Sequence, residues 1–377
     1  MKLHATDSGK LRALLFAVSM GIGVFLVRAL TSGPAYFADG PRHLAAIANH
    51  TYVIQPPGYW LFNRIGGLFP NPEHGLLLLN WLFSALGCMA LYGCARRLAP
   101  TPLAELGALL YAAAFFAWFS GNVHSTYASQ LLFPPLTFYL MLRYREDQRT
   151  LWICAVAASY ALGAGFRPSD GVFMSPLLLL FFLRLPRKQQ ILLGSLVIAF
   201  CLAWLIPSEI AQHRYHPDSA GAELGRVALG SVLLGKFNVY TIANAIRFFL
   251  PLAVALGPAA IYLFRTRTAD GLWLWAWVLP GSLFFLLLFI SDAPYLNCLL
   301  GGFILLCLLG MGASQNRRLA ATLLTCSILI NLAFYLGFRA LPLQKSNLYA
   351  IVEKDLGNYS LYAVKHHFFV QRLTLKS

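Results

Sequence analysis

Residues 11–30 read LRALLFAVSMGIGVFLVRAL, and this stretch decides the class of fold. Its two charged residues, Arg12 and Arg28, lie near its ends. A helix of about 20 apolar residues is long enough to cross the hydrocarbon core of a bilayer. Further uncharged runs follow along the chain, and none alternates like the roughly ten-residue strands of a membrane barrel. Because only helices and closed barrels satisfy the backbone in lipid, the sequence predicts an all-α polytopic membrane protein.

The composition of the 377-residue chain agrees with this prediction, since 58% of its residues are hydrophobic and 11% are charged. Soluble proteins carry about 25% charged residues, so an ordinary soluble enzyme is excluded. Lys and Arg number 29 against 14 Asp and Glu, but most basic residues flank apolar runs and set topology. We therefore expect no nucleic-acid partner. The seven cysteines fall inside apolar runs without CxxC spacing, which predicts neither a disulfide framework nor a metal site.

Apolar runs bounded by charge, Gly or Pro predict eleven membrane spans in one transmembrane domain, residues 1–338, which includes a long first outer loop. A short C-terminal tail, residues 339–377, follows this domain. No small-residue cleavage signature follows the first run, so we expect it to be a retained span. The predicted spans are residues 11–30, 76–95, 103–119, 126–142, 151–166, 172–183, 191–207, 245–264, 271–290, 295–313 and 319–338.

Lys and Arg are distributed unevenly between the loops, and this distribution predicts the orientation. Five short loops carry twelve basic residues, whereas the short loops SGNVH (120–124) and SDAP (291–294) carry none. Because cytoplasmic loops retain Lys and Arg, the amino terminus is predicted to be cytoplasmic. The tail is also basic and would suit either side. The outer face is predicted to hold residues 31–75, 120–125, 167–171, 208–244, 291–294 and the tail from 339.

The first outer loop, residues 31–74, reads TSGPAYFADGPRHLAAIANHTYVIQPPGYWLFNRIGGLFPNPEH. Its segment Asp39–Pro41 has the form of a helix start, with an Asp cap and a Pro in the first turn. Apolar residues then recur at helical spacing from Leu44, which predicts a short amphipathic helix lying in the membrane interface.

Asp39 and His43 lie one helical turn apart and can reach the same space. On local sequence alone, two interpretations stay open for each of them. Asp39 either caps the helix or takes part in chemistry. His43, like His50, is either an interfacial polar residue or a ligand of the substrate.

The order of these features resembles the GT-C superfamily of membrane glycosyltransferases. A first span, an Asp opening a short outer helix and a Pro-Pro-x-Tyr element are most similar to its protein O-mannosyltransferase and aminoarabinose-transferase branch. The resemblance implies a GT-C-like fold and a sugar donor carried on polyprenyl phosphate. It gives Asp39 the role of catalytic base or acceptor-orienting residue, and it assigns Pro56, Pro57 and Tyr59 to the Pro-Pro-Tyr element.

Three later segments resemble the same superfamily less specifically. The segment YASQLLF (127–133) lies where many such transferases have Tyr-Ser-Glu and an apolar run. GFRPSDG (165–171) is similar to their Thr-Arg-Pro-x-Gly turn, and DAPYL (292–296) takes the place of a late outer element. Tyr59, Arg167, Asp292 and Tyr295 lie in these likenesses, Arg42 is an outer cation, and His43 shares the space of Asp39. Together they are the candidates for binding the donor phosphate or the substrate: Arg42, His43, Tyr59, Arg167, Asp292 and Tyr295.

Two positions depart from the pattern of the superfamily. Gly40 stands where a second carboxylate is usual, and Gln130 stands where a carboxylate often occurs in the second outer loop. Hard divalent cations need several carboxylate oxygens, and this outer face offers few. We therefore expect transfer without a metal or a cofactor, or no transfer if the chain is a degenerate relative.

An inverting transfer from a lipid phosphate needs a base and a cation. A carboxylate can take the proton of the acceptor hydroxyl when partial burial raises its pKa, which suits Asp39. The leaving phosphate needs cations, and Arg offers paired planar donors, although each outer cation could equally contact lipid headgroups. Arg167, on a tight turn between two spans, is favoured. The available cations are Arg42, Arg64, Arg167, Arg214, Arg226, Lys236 and Arg247.

The favoured hypothesis is a glycosyltransferase that moves a hexosyl or pentosyl group from polyprenyl phosphate to a glycan, lipid or protein acceptor on the outer face. A transporter or lipid-linked flippase would also explain many spans, but charges are scarce at mid-span, where transporters place their sites. A noncatalytic GT-C-like subunit is the third alternative. The compact size and the lack of organelle signals predict a bacterial cytoplasmic (inner) membrane.

Overall fold

The computed structural model describes residues 7–32, 39–54, 59–215, 249, 252–253, 268–285, 293–312 and 316–340. No strand occurs in these ranges, and the all-α fold is confirmed. Two short 3-10 turns, Thr126–Ala128 and Ala293–Leu296, precede longer helices. The helices are α1 (Asp7–Thr31), α2 (Gly40–Ala48), α3 (Trp60–Gly66), α4 (Pro72–Leu98), α5 (Leu103–Ala113), α6 (Phe115–Gly121), α7 (Ser129–Asp147), α8 (Thr150–Phe166), α9 (Pro168–Phe182), α10 (Arg187–Tyr215), α11 (Ala269–Leu283), α12 (Asn297–Gly312) and α13 (Arg317–Ala340).

The described helices follow the predicted spans. Apart from residues 249 and 252–253, the span predicted at 245–264 lies outside the described residues, as does the tail from 341. Every other predicted span overlaps a helix. By length and apolar composition, α1, α4 and α10 can each cross a membrane, and the bent pair α5–α6 makes a fourth if it is one span. Helices α8, α9 and α12 are apolar but shorter. The number of eleven spans stays a prediction.

Helix α4 lies at the centre of the bundle. It buries 72% of its apolar span and packs against α1, α5, α7 and α12. Its approach to α7 is close, because a Cβ added to Gly87 would lie 2.1 Å from the carbonyl oxygen of Leu131. By contrast, α1 and α10 bury only 22% and 11% of their spans, so most of their apolar side chains face outward. Lipid is the solvent that suits such faces.

The span predicted at 103–119 is two helices, α5 and α6, bent by 55°. A break frees backbone groups that must find partners inside a bilayer. Arg28 Nη2 donates to the carbonyl oxygen of Ala112 at 2.8 Å, and the amide of Phe115 donates to Asn331 Oδ1 at 3.0 Å. Side chains of α1 and α13 therefore stabilise the break, which fixes the position of α6 and of the loop that follows it.

Candidate functional site

Asp39 immediately precedes the amphipathic helix α2, as the sequence predicts. Asp39 occupies the N-cap position of that helix, but its side chain makes no capping hydrogen bond to it. Instead, Arg42 Nη1 lies 3.6 Å from Asp39 Oδ1. The side chain of Asp39 is 22% exposed and that of Arg42 is 53% exposed. The carboxylate is thus sheltered but still reachable from the surface of the protein.

Burial raises the pKa of Asp39 above its usual value of 3.8, and the charges of Arg42 and Arg167 partly oppose this rise. A raised pKa makes a carboxylate a stronger base and brings it closer to the working pH of a general base. Because the charge of Arg167 acts on Asp39, the two residues lie within electrostatic range of each other. A base and a cation are therefore available in one region.

Arg167 occupies the turn between α8 and α9 and is 2% exposed. Its guanidinium carbon lies 4.3 Å from the ring centre of Tyr127, 4.5 Å from that of Tyr295 and 5.7 Å from that of Tyr59. Its Nη1 donates to Thr126 Oγ1 at 2.8 Å. Rings within about 6 Å attract a cation through their electron-rich faces. Three tyrosines and one threonine thus fix the guanidinium in place.

The charge of the neighbouring Asp170 acts on Arg167, but the two groups make no direct ion pair. Within the described ranges Arg167 forms no ion pair with any carboxylate, and its Nε is buried there without a hydrogen-bond partner. A buried charge is costly unless it is paired and hydrogen-bonded. The turn therefore presents a fixed cation with donors still to be used, which is the chemistry that an anionic group such as phosphate requires.

Tyr59 connects the first outer loop with this turn. Its backbone is left-handed, with φ 54° and ψ 33°, an uncommon conformation for a residue other than glycine. Burial raises the pKa of Tyr59 above its usual range, Arg167 opposes the rise, and Tyr295, Asp39 and Asp170 add to it. All four groups are therefore within electrostatic range of one hydroxyl. We call these five residues, Asp39, Tyr59, Arg167, Asp170 and Tyr295, the outer cluster.

His43 is almost fully buried, at 1% exposure. Its Nδ1 lies 2.6 Å from Asn63 Oδ1, and its ring contacts those of Tyr59 and Phe62 edge to face. Burial lowers the pKa of His43 to about 4, so the ring is neutral at pH 7. These contacts join α2 to α3 and pack the His43 ring against the ring of Tyr59. The role of His43 as a direct ligand stays a prediction.

Sequence reasoning missed the pairing of Gln130 with Asp170. Gln130 Nε2 donates to Asp170 Oδ1 at 2.7 Å, and both side chains are at most 2% exposed. The sequence did contain a signal. Gln130 stands where relatives often have a carboxylate, and Asp170, a carboxylate without an assigned role, occurs in the segment GFRPSDG (165–171). Nothing in a single sequence joins two positions that are 40 residues apart.

The remaining predicted residues lie elsewhere. Arg64 lies over the ring of Tyr52, to which the exposed His50 is also hydrogen-bonded at 3.1 Å, and Arg214 lies over its neighbour Tyr215. Such contacts are typical of interfacial side chains. The predicted residues that fall outside the described residues are Pro56, Pro57, Arg226, Lys236, Arg247 and Asp292.

Within the described ranges, no group of three or more His, Cys, Asp and Glu side chains is arranged to hold a metal ion. Transfer without a metal stays a prediction.

Comparisons with known proteins agree with the sequence resemblance. Residues 54–209 match the family model described as dolichyl-phosphate-mannose-protein mannosyltransferase, and this range contains Tyr59, Gln130, Arg167 and Asp170. A search of curated proteins finds no match. Among solved structures, ArnT from Cupriavidus metallidurans, crystallised with undecaprenyl phosphate, is similar with a TM-score of 0.62 and 15% identity. The alignment covers 96% of this chain and 75% of that one.

Proposed function

We propose that this chain, an integral membrane protein with the GT-C fold, is a glycosyltransferase that moves a sugar from a polyprenyl-phosphate donor to an acceptor on the outer face of the membrane. One observation carries the proposal. A sheltered carboxylate with a raised pKa, Asp39, lies within electrostatic range of Arg167, a buried cation that forms no direct ion pair with a described residue. A base and a phosphate-binding cation are the two groups that the reaction needs.

Asp39 is assigned the role of general base. Its carboxylate takes the proton of the acceptor hydroxyl while the acceptor oxygen forms a bond to the anomeric carbon of the sugar. The bond between that carbon and the phosphate oxygen breaks, and polyprenyl phosphate leaves with the electron pair. Attack from the face opposite the leaving group inverts the anomeric configuration. General bases of this kind contribute about 10²–10⁴ in rate.

Arg167 is assigned to the leaving phosphate. As the bond to the sugar breaks, one more negative charge develops on the phosphate, and a preorganised donor stabilises this charge without reorganising. The tyrosines around the guanidinium, Tyr127, Tyr295 and Tyr59, hold it in a fixed orientation. Aromatic rings attract a cation through their faces without neutralising it, so the positive charge stays available to the ligand. The ArnT structure, which contains undecaprenyl phosphate, supports a donor of the same class.

The proposed location is a bacterial cytoplasmic membrane, with the outer cluster on its outer face. The basic loops that support this orientation include Arg149, whose side chain is 74% exposed at the predicted inner end. Leu68, in the turn after α3, is 70% exposed at the predicted outer end. A membrane-impermeant thiol reagent applied to intact cells should label Leu68→Cys and leave Arg149→Cys unlabelled. The reverse pattern would overturn the orientation.

The activity is tested with the purified protein in lipid nanodiscs and a panel of polyprenyl-phosphate sugars. The release of free polyprenyl phosphate is measured for each donor, with and without candidate glycan, lipid and protein acceptors. Release that depends on one sugar is the expected result. A folded protein that releases nothing from any donor would contradict the proposal and favour a noncatalytic subunit or a transporter.

A further inference from the structure

Asp170 and Gln130 form a buried polar pair that the reaction described above does not use. Asp170 lies in the first turn of α9, and Gln130 lies in the first turn of α7. They are 2% and 0% exposed, and Gln130 Nε2 donates to Asp170 Oδ1 at 2.7 Å. This bond uses one oxygen of the carboxylate and the only donor group of the amide side chain.

Each member of the pair keeps a second oxygen without a partner. Asp170 Oδ2 and Gln130 Oε1 are both buried, and neither accepts a hydrogen bond of good geometry from the described residues. Burial raises the pKa of the Asp170 carboxyl, and the neighbouring Ser169 hydroxyl is among the groups that lower this pKa, but it does not satisfy Oδ2. A buried polar atom that is left unsatisfied costs free energy, and most such atoms in native proteins have partners. Two acceptor atoms on adjoining side chains, both unsatisfied, indicate a group that brings hydrogen-bond donors.

The position of the pair places that group beside the phosphate site. Asp170 follows Arg167 by three residues, and its backbone amide donates to the Arg167 carbonyl at 2.9 Å. Gln130 follows Thr126, which holds the Arg167 guanidinium, by one helical turn. The charge of Asp170 also acts on the Tyr59 hydroxyl, as that of Arg167 does. The pair and the cation are thus two parts of the same outer cluster.

We propose that Asp170 Oδ2 and Gln130 Oε1 form a paired acceptor subsite that binds hydroxyl groups of the sugar on the donor. This inference rests on the proposed function, and it identifies Asp170 and Gln130 as specificity-determining residues. The ligand class follows from the atoms. Two acceptors repel phosphate oxygens, and a sugar supplies several hydroxyl donors one short link away from the phosphate that Arg167 binds.

A neutral sugar suits the subsite better than an aminosugar. The carboxylate of Asp170 is already close to the guanidinium of Arg167, so an ammonium group would place a second cation beside the first. Hydroxyl groups satisfy both oxygens without adding charge. We therefore expect a neutral hexose or pentose to be preferred over its amino derivative.

The simplest competing role for Asp170 is to balance the charge of Arg167. In that case Asp170 would support phosphate binding, and its removal would weaken sugar-free and sugar-bearing lipids alike. A purely structural role, in which the pair joins α7 to α9, would also affect both lipids equally. The difference between the two lipids therefore separates the subsite from both alternatives.

The test measures the affinity of the full-length protein in nanodiscs for polyprenyl phosphate and for the polyprenyl-phosphate sugar that the release assay selects. Gln130→Met removes the amide at similar length, and Asp170→Asn keeps the shape of the carboxylate. Each variant should bind the sugar-bearing lipid about tenfold more weakly, the size of one lost hydrogen bond, and sugar-free polyprenyl phosphate within about twofold of wild type. Because the two substitutions lie on different helices, one suffices if the other fails to fold.

Ser159→Ala is the matched control. Ser159 Oγ lies 2.8 Å from Thr137 Oγ1 in a second buried polar pair, between α7 and α8. This variant loses a hydrogen bond of the same kind and should keep the wild-type ratio of the two affinities.

Deoxy sugars sharpen the test. A donor that lacks the contacting hydroxyl should bind wild type about tenfold more weakly than the complete donor does. In Gln130→Met, the two donors should bind with equal affinity. Equal losses in wild type and variant for every deoxy donor would overturn the subsite. The subsite would also be overturned if both variants bound both lipids equally more weakly. A further contrary result would be that wild type prefers the aminosugar donor and that Asp170→Asn loses this preference. If wild type binds no polyprenyl phosphate at all, the proposed function fails first and the subsite fails with it.

Discussion

The two ends of the helical bundle differ in the burial and ion pairing of their charged side chains. At the predicted inner end, Arg97 Nε lies 2.6 Å from Glu146 Oε1, and the two side chains are 22% and 44% exposed. At the predicted outer end, Arg167 and Asp170 are each 2% exposed and form no ion pair with a described residue. Arg97 and Glu146 at the inner end are thus paired and partly exposed, whereas Arg167 and Asp170 at the outer end are buried without a direct ion pair. The Asp39–Arg42 pair at the outer end is also partly exposed.

This difference shows which charges serve the fold and which serve chemistry. Exposed ion pairs contribute about 0–1 kcal/mol to stability, and the basic residues at the inner end are those from which the orientation of the chain is predicted. A buried charge without a partner reduces stability, so packing alone does not account for it. Positions that break local rules of stability are the ones where function is expected. The predictions below test whether the outer charges behave as a site and the inner ones as scaffold.

The largest effect is expected from Arg167. Arg167→Ala should weaken the affinity for polyprenyl phosphate by about 100-fold, because a buried cation with several donors to the phosphate is lost. Titration of the purified variant in nanodiscs measures this. Arg145→Ala at the inner end, where Arg145 pairs with Asp270, is the control and should leave the affinity within about twofold.

Arg167→Lys separates charge from geometry at the same position. Lysine keeps the positive charge but not the planar fork, so about a tenfold loss of affinity should remain. In both variants, the kinetic parameters for the donor should be affected more than those for the acceptor. Equal losses for donor and acceptor would indicate that Arg167 only shapes the turn.

A smaller effect is expected on the pH dependence of transfer. The base must be deprotonated, so the rate should fall as the pH drops through the raised pKa of Asp39. The charge of Arg42 lowers this pKa. Arg42→Gln should therefore raise the pKa further and move the acid limb of the rate profile to higher pH.

Arg96→Gln provides the inner-end control for this profile. Arg96 lies 3.5 Å from Glu105 in a pair of similar kind at the inner end, and its removal should leave the acid limb unchanged. An acid limb that does not move in Arg42→Gln would remove Asp39 as the titrating base.

The smallest effect is expected from breaking an inner pair. Asp270→Asn removes the partner of Arg145, and both side chains are about one-third exposed. The free energy of unfolding should change by about 0–1 kcal/mol, as for other exposed pairs. Thermal unfolding followed by fluorescence measures this, and a loss of several kcal/mol would show that the inner charges are more than scaffold.

The spans were predictable because each is a local property of the chain. A run such as residues 11–30 is apolar along its whole length, and the described helices overlap such runs. The bend between α5 and α6 was not predictable, since Ala113, Ala114 and Phe115 contain no proline or glycine. It depends on Arg28 and Asn331, which are 84 and 216 residues away from their partners.

The residues of the site also fall into a group that local sequence predicts and a group that it does not. Asp39, Tyr59, Arg167 and Tyr295 could be named because short motifs carry them, and the structure brings them within range of one another. The burial of His43 and the pairing of Asp170 with Gln130 could not be named, because both depend on contacts between distant segments. Local motifs predict which residues are present at a site, and packing decides which of their atoms remain available.

The measurement that tests the central claim most directly compares Asp39→Asn with Asp147→Asn. The side chains of these two aspartates are similarly exposed, at 22% and 27%, and each lies near arginine, one at the outer end and one at the inner end. Sugar-dependent release of polyprenyl phosphate should disappear in Asp39→Asn and remain at the wild-type rate in Asp147→Asn, with both proteins folded. Undiminished release in Asp39→Asn would contradict the account.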